Sequence, residues 1–127
     1  MGEVYMAWKF KSGLALTVQI VDKLRADILK GEYVSGGQFP TVRQLAYDAG
    51  VNPNTMQKAL SLLEKEELLV TNSTVGRTVT DNKATLELAR HRALESFTAN
   101  IVKEAKNMSL DMNELINCIE KGWEKDE

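Results

Sequence analysis

In residues 39–63, FPTVRQLAYDAGVNPNTMQKALSLL, two short helices follow one another across a tight turn. Thr41 stands as an N-cap, and Gln44 three residues later completes a capping box. Pro40 lies just before the cap, where it interrupts nothing. Val42, Leu45, Ala46 and Ala49 recur at helical spacing, and Gly50 supplies a left-handed stop. Asn52 is a second N-cap, followed by Pro53 at the first helical position, where its missing N–H costs nothing. Val51 and Met56 occupy the two positions of a hydrophobic staple. Met56, Ala59, Leu60 and Leu63 form the apolar stripe of the second helix. Helix, Gly-containing turn, helix is the helix-turn-helix pattern. Early in the second helix it exposes Asn52, Asn54, Thr55, Gln57 and Lys58, whose amides, hydroxyl and ammonium suit base edges and phosphates. A plain helical hairpin with a solvated face is the alternative at this level.

Downstream, 68–72 and 77–80 are rich in Leu, Val and Thr and flank Ser73-Thr74-Val75-Gly76, which predicts a β-hairpin. A helix-turn-helix followed by a hairpin is a winged helix. Upstream, Leu16, Ile20, Leu24 and Ile28 repeat every four residues, with Val21 and Leu29 beside them, in an amphipathic helix ending at Gly31. Its polar face, Asp22, Lys23, Arg25, Asp27 and Lys30, reads as solvated scaffold. The loop GEYVSGGQ fits neither GxGxxG nor a P-loop, so it is no phosphate cradle, and Tyr33 is expected on the core. Trp8, Lys9 and Phe10 alternate as in a short strand, and residues 1–13 form an N-terminal arm.

From Ala84 the pattern is helical again. Leu86, Ala89, Ala93, Phe97, Ile101 and Ala105 or Met108 make one stripe, interrupted by a bend near Ser109. Asp111 with Glu114 forms a further capping box, ahead of Leu115, Ile116, Ile119 and Trp123. Forty-odd residues build no independent core. The stripe therefore folds back on the winged helix or pairs with the same segment of a second chain, and the second reading is favoured. Leu86, Ala93, Phe97, Ile101, Leu115 and Ile119 are the expected dimerisation residues, with Trp123 at the edge of that core and Cys118 buried.

The 127 residues carry a net charge of −2. Residues 1–80 hold nine Lys/Arg against eight Asp/Glu, a balance of +1; residues 81–127 hold seven against ten, a balance of −3. The acidic excess thus lies in the tail, and DNA binding needs only a local basic footprint. Here that footprint is thin: Arg43, Lys58, Lys65 and Arg77, with Lys9 and Lys11. Cys118 is the one cysteine and His91 the one histidine, so no disulfide and no metal cluster is expected, in keeping with a reducing, cytoplasmic location. No apolar run reaches the roughly 20 residues of a membrane span. The start of the chain, MGEVYMAWKF, is no signal peptide.

FPTVRQLA followed by VNPNTMQKAL resembles the DNA-binding domain of the GntR family of bacterial transcription regulators, above all its short YtrA-type branch. The resemblance takes in GEYVSGGQFP upstream and a wing ending in GRTVT, so it covers roughly 14–80, with a weaker fit of the tail. It implies that Arg43 reaches DNA from the first helix of the pair, and that Asn52, Asn54, Thr55 and Gln57 lie at positions touching phosphates and bases. Lys58 is then a phosphate contact, Gly76 a wing-tip glycine, and Arg77 a side chain able to reach a phosphate or the minor groove. Two departures stand out. Asn72, Ser73 and Thr74 replace the basic residues common in the family's wing, and Glu67 stands where glycine is common.

The expected fold is mainly α with a small β-hairpin wing: a winged helix-turn-helix over 14–81 and a two-helix dimerisation tail over 82–127. The expected function is a homodimeric, sequence-specific DNA-binding regulator, a repressor on a palindromic operator. The resemblance adds control of an ABC-transporter operon. A small effector bound at the dimer seam is left open, and no cofactor, metal or membrane is expected. The alternative is a winged helix serving as a protein-interaction module. An enzyme is not expected, since no Ser/His/Asp set, metal cluster or supported carboxylate pair occurs.

Overall fold

The computed structural model describes residues 8–125. The elements run α1 (Leu16–Lys30), α2 (Val42–Ala49), α3 (Pro53–Lys65), β1 (Leu69–Asn72), β2 (Gly76–Val79), α4 (Lys83–Asn107) and α5 (Met112–Lys125). The chain divides into two compact units, the first ending at Ala89 and the second beginning at Arg90. The fold is mainly helical with one antiparallel hairpin, as expected.

In the first unit α1 and α2 both pack on α3. Ile20, Val21, Leu24 and Ile28 of α1 meet Leu45, Ala46 and Ala49 of α2 and Met56, Ala59, Leu60 and Leu63 of α3 in one core, closed by Phe39, Leu68, Leu69 and Val79. The helical spacing forces this, because each stripe occupies one side of its helix. Burying a side chain of this size contributes about 1.5–3 kcal/mol. Tyr33 packs partly buried on the core, its ring 4.6 Å from that of Phe39. Burial, then nearby Asp27, raises the Tyr33 phenol above its usual pKa.

Trp8 and Phe10 also pack partly buried against this core. They do not form the short strand expected there. Gln19 fastens the segment instead: its amide accepts from the Lys11 N–H at 2.7 Å and donates to the Lys11 and Leu14 carbonyls at 3.0 and 3.2 Å. Lys23 Nζ lies 4.9 Å from the centre of the Trp8 ring. Residues 1–7 of the expected arm over 1–13 lie outside the described residues.

Helices α1 to α4 end alike. A residue in the left-handed region follows the helix, and the next N–H returns to a carbonyl one turn back. At α1 and α2 that residue is Gly31 (φ 87°) or Gly50 (φ 73°), with Glu32 N–H bonded to Asp27 O at 2.9 Å and Val51 N–H to Ala46 O at 3.0 Å. At α3 and α4 it is Glu67 (φ 64°) or Ser109 (φ 54°), with Leu68 N–H bonded to Leu63 O at 3.1 Å and Leu110 N–H to Ala105 O at 2.9 Å. A side chain in that conformation costs about 1 kcal/mol, so α3 and α4 retain a strain that α1 and α2 avoid.

The hairpin pairs Leu69 with Val79 and Asn72 with Gly76. Gln38 adds a single bridge to Thr78. In the second unit, the helical segments from Arg90 bury only Ala105. Asp111 caps α5, accepting from the N–H groups of Asn113 and Glu114 at 3.0 and 3.3 Å.

Candidate nucleic-acid interface

The N-terminus of α3 is built by local chemistry. Asn52 Oδ1 accepts from the Asn54 N–H at 2.7 Å, and Pro53 occupies the first turn. Met56, Ala59 and Leu60 are fully buried beneath, which turns Asn54, Gln57 and Lys58 to solvent. These three stand three and four residues apart, so they share one helix face. Thr55 is half-buried at its edge. The acceptor of Asn52 is engaged in the cap, so its free capacity is the amide NH2. Gln57 leans toward Ser61 Oγ at 3.4 Å, a contact long enough to yield easily.

On α2, Thr41 caps as expected, accepting from the Gln44 N–H at 3.1 Å. The box is only half realised, because the Gln44 side chain donates to Asp48 Oδ1 at 2.8 Å rather than reaching back to Thr41. A carboxylate one turn ahead offers a stronger bond than the backbone return. Arg43 is exposed, and Tyr47, one turn on and 65% exposed, shares its side of α2. The spacing placed Tyr47 off the apolar stripe, but an aromatic outside the stripe carries no sequence signal for this surface.

Among the described residues, Arg43 and Lys58 form no ion pair, whereas Lys23, Arg25, Lys30 and Arg77 all do. Among the described residues, the cations without an ion pair therefore include Arg43 on α2 and Lys58 on α3. Arg25 forks onto Glu66, with Nε to Oε1 at 2.8 Å and the second nitrogen to Oε2 at 2.6 Å, and so ties α1 to the end of α3. That bond raises the Arg25 pKa above its ordinary value. Part of the polar face of α1 is thus tertiary clasp as well as solvated surface.

The wing differs from a cationic hand. Gly76 (φ 85°) has open space where a Cβ would stand, so its backbone conformation, and no crowding, calls for glycine. Asn72 Oδ1 accepts from the N–H groups of Thr74 and Val75 at 2.8 and 3.2 Å, shaping the turn, and Gln38 Nε2 donates to Val75 O at 3.0 Å. Arg77 is turned inward: its Nε and terminal nitrogen lie 3.1 and 3.0 Å from Glu64 Oε1 on α3. Thr71 donates its hydroxyl to the other oxygen of the same carboxylate. The Thr71 bond, followed by Arg77, holds the Glu64 carboxyl below the usual carboxylate range.

Of the expected dimerisation residues, Leu86 packs partly buried against the winged-helix core and so leaves the free stripe. Its place in the first turn of α4 puts it within reach of that core. Ala93 is exposed, Phe97 is 65% and Ile119 46% exposed, and Ile101 and Leu115 are half-buried. Trp123 is 81% exposed. Cys118 is exposed in the single chain, contrary to expectation, because α5 buries none of its residues there. His91 faces Glu95 at 3.6 Å, one turn apart on an exposed helix face.

A family model of bacterial regulatory proteins, gntR family, matches residues 16–79. The uncharacterized HTH-type transcriptional regulator YhcF of Bacillus subtilis is 24% identical over 87% of this chain and 92% of its own length. The HTH-type transcriptional repressor YtrA of the same organism is 27% identical over 87% of this chain and 86% of its own. Among solved structures, a GntR family transcriptional regulator from Listeria monocytogenes superposes with a TM-score of 0.82 at 28% identity, covering 88% of this chain and 98% of that one.

Proposed function

The chain belongs to the gntR family of bacterial regulatory proteins, in its YtrA-type branch, and we propose that it acts as a homodimeric repressor reading a palindromic operator. The observation that carries this reading is the face formed by Asn54, Gln57 and Lys58, solvent-directed above a sealed core and accompanied by the unpaired Arg43. In a dimer, two such helices enter successive major grooves about 34 Å apart. Asn54 and Gln57 have the paired donor and acceptor that match adenine N6 and N7. Thr55 supplies a hydroxyl at the edge, Asn52 its free amide N–H, and Arg43 and Lys58 neutralise phosphates. Gly76 allows the wing backbone to approach closely. The apolar surface of the tail, with Phe97 and Ile119 exposed, is what a second chain would cover. Repression is favoured by the likeness to a named repressor. An ABC-transporter operon, including the protein's own gene, is the proposed target, and the dimer seam the place for a small effector.

Fluorescence-anisotropy titration against the protein's own upstream DNA and a scrambled duplex, at several salt concentrations, tests this. Tight binding to the upstream duplex alone is expected, with a steep salt slope and loss on Arg43→Ala. Equal weak binding to every duplex tried, together with an unaffected Arg43→Ala variant, would overturn it.

A further inference from the structure

Glu64 sits in the last turns of the recognition helix and accepts from both strands of the wing. Thr71 on β1 and Arg77 on β2 are register partners across the hairpin, and each bonds a different oxygen of that carboxylate. The arginine side chain is 18% exposed and the glutamate 27%, so the pair is shielded more than a surface ion pair. The carboxyl is held in its ionised form, as described above, so at neutral pH it cancels the arginine charge. Beyond this stem, Ser73, Thr74 and Val75 carry no charge at the tip. One anionic side chain therefore both fastens the hairpin to α3 and removes the only cation of the strands and their loop.

We propose that Glu64 is a positioning residue that fixes the wing against the recognition helix and keeps Arg77 off the DNA, so that the wing meets the duplex as a rigid, neutral element. This rests on the DNA-binding reading above. A cation on a phosphate adds sequence-independent affinity, whereas a cation held internally adds none. The arrangement thus favours discrimination by α3 over general attraction, in a chain whose basic footprint is already small.

The test has two arms. In the first, salt slopes are measured on a generic duplex for the wild type, Arg77→Gln, Glu64→Gln and the double variant. Arg77→Gln is expected to leave the slope unchanged. Glu64→Gln, which frees the guanidinium, is expected to steepen it by about 0.9 and raise non-specific affinity, and the double variant to return it to the wild-type value. A slope lowered by about 0.9 in Arg77→Gln alone means that Arg77 already holds a phosphate, and overturns the neutral wing. In the second arm, amide hydrogen exchange is followed in the free protein. Glu64→Ala is expected to speed exchange of the hairpin amides by about tenfold while the α1 and α3 amides stay protected. Unchanged hairpin exchange overturns the fastening role. A wild type that binds no duplex defeats the DNA reading and the neutral wing with it, while the exchange arm still decides whether Glu64 holds the hairpin.

Discussion

Leu60 and Phe97 both lie on apolar stripes of amphipathic helices, yet Leu60 is 0% exposed and Phe97 65%. Around Leu60, three helices and a hairpin supply partners on all sides. Around Phe97, the helical segments from Arg90 onward bury only Ala105 among the described residues. The winged helix buries a core of its own, whereas the tail leaves Phe97, Ile116, Ile119 and Trp123 in water. What separates them is the number of elements available, not the quality of the pattern. Two helices offer one contact seam, and a stripe wider than that seam stays uncovered until another surface arrives. One chain therefore closes the winged-helix core by itself, while the apolar stripe of the tail stays largely uncovered.

The contrast breaks most readily at its closed end. Leu60→Ala should cost about 2–5 kcal/mol in urea denaturation, because the site is sealed and cannot collapse. A loss below about 1 kcal/mol would mean the core is not closed. At the open end, Phe97→Asp should weaken self-association by about 100-fold or more, comparable to loss of an interface hot spot, as read by sedimentation. A variant as dimeric as the wild type would remove Phe97 from the interface. On the recognition face, Gln57→Ala should cost about 1–3 kcal/mol on the cognate duplex and relax preference at one or two positions. Equal affinity and specificity would shift the docking register along α3.

The strained helix ends sharpen the comparison further. Glu67→Gly removes the left-handed penalty in the winged helix, and a gain of about 1 kcal/mol or less is expected, part of it offset by greater freedom of the unfolded chain. The smallest effect is the pH dependence carried by Glu64. Its folded-state pKa lies below its unfolded one, so the stability it contributes is complete above the ordinary glutamate range and disappears as pH falls through the lower folded value. Acid titration of the wild type should show this loss below about pH 4, and Glu64→Gln should lack it.

The features legible in the sequence were those whose partners lie within one helical turn. Thr41, Asn52 and Asp111 cap as expected, each bonding an N–H two or three residues away. Gly31 and Gly50 stop their helices, and Glu67, which stands where the family commonly has glycine, takes a positive φ. Even here competition misleads, since Gln44 prefers Asp48 to the return bond of the capping box. The missed features join distant positions. Arg25 finds Glu66 across 41 residues, and Arg77 finds Glu64 across 13. Charge patterning places such residues on surfaces but does not name their partners.

By itself, the sequence determined the order of elements, the helix boundaries and which residues of α3 face solvent, because period and capping act over three or four residues. Only the tertiary structure decided which charges are spent and which remain free. Arg43 and Arg77 look equally available in the chain, but packing of the wing on α3 places one beside a carboxylate and leaves the other in solvent. It likewise set Leu86, partly buried, against the core and left Phe97 and Cys118 exposed. The physical reason is common to both. Local preferences depend on neighbours in sequence, while burial and ion pairing depend on neighbours in space, and those exist only once the chain has closed.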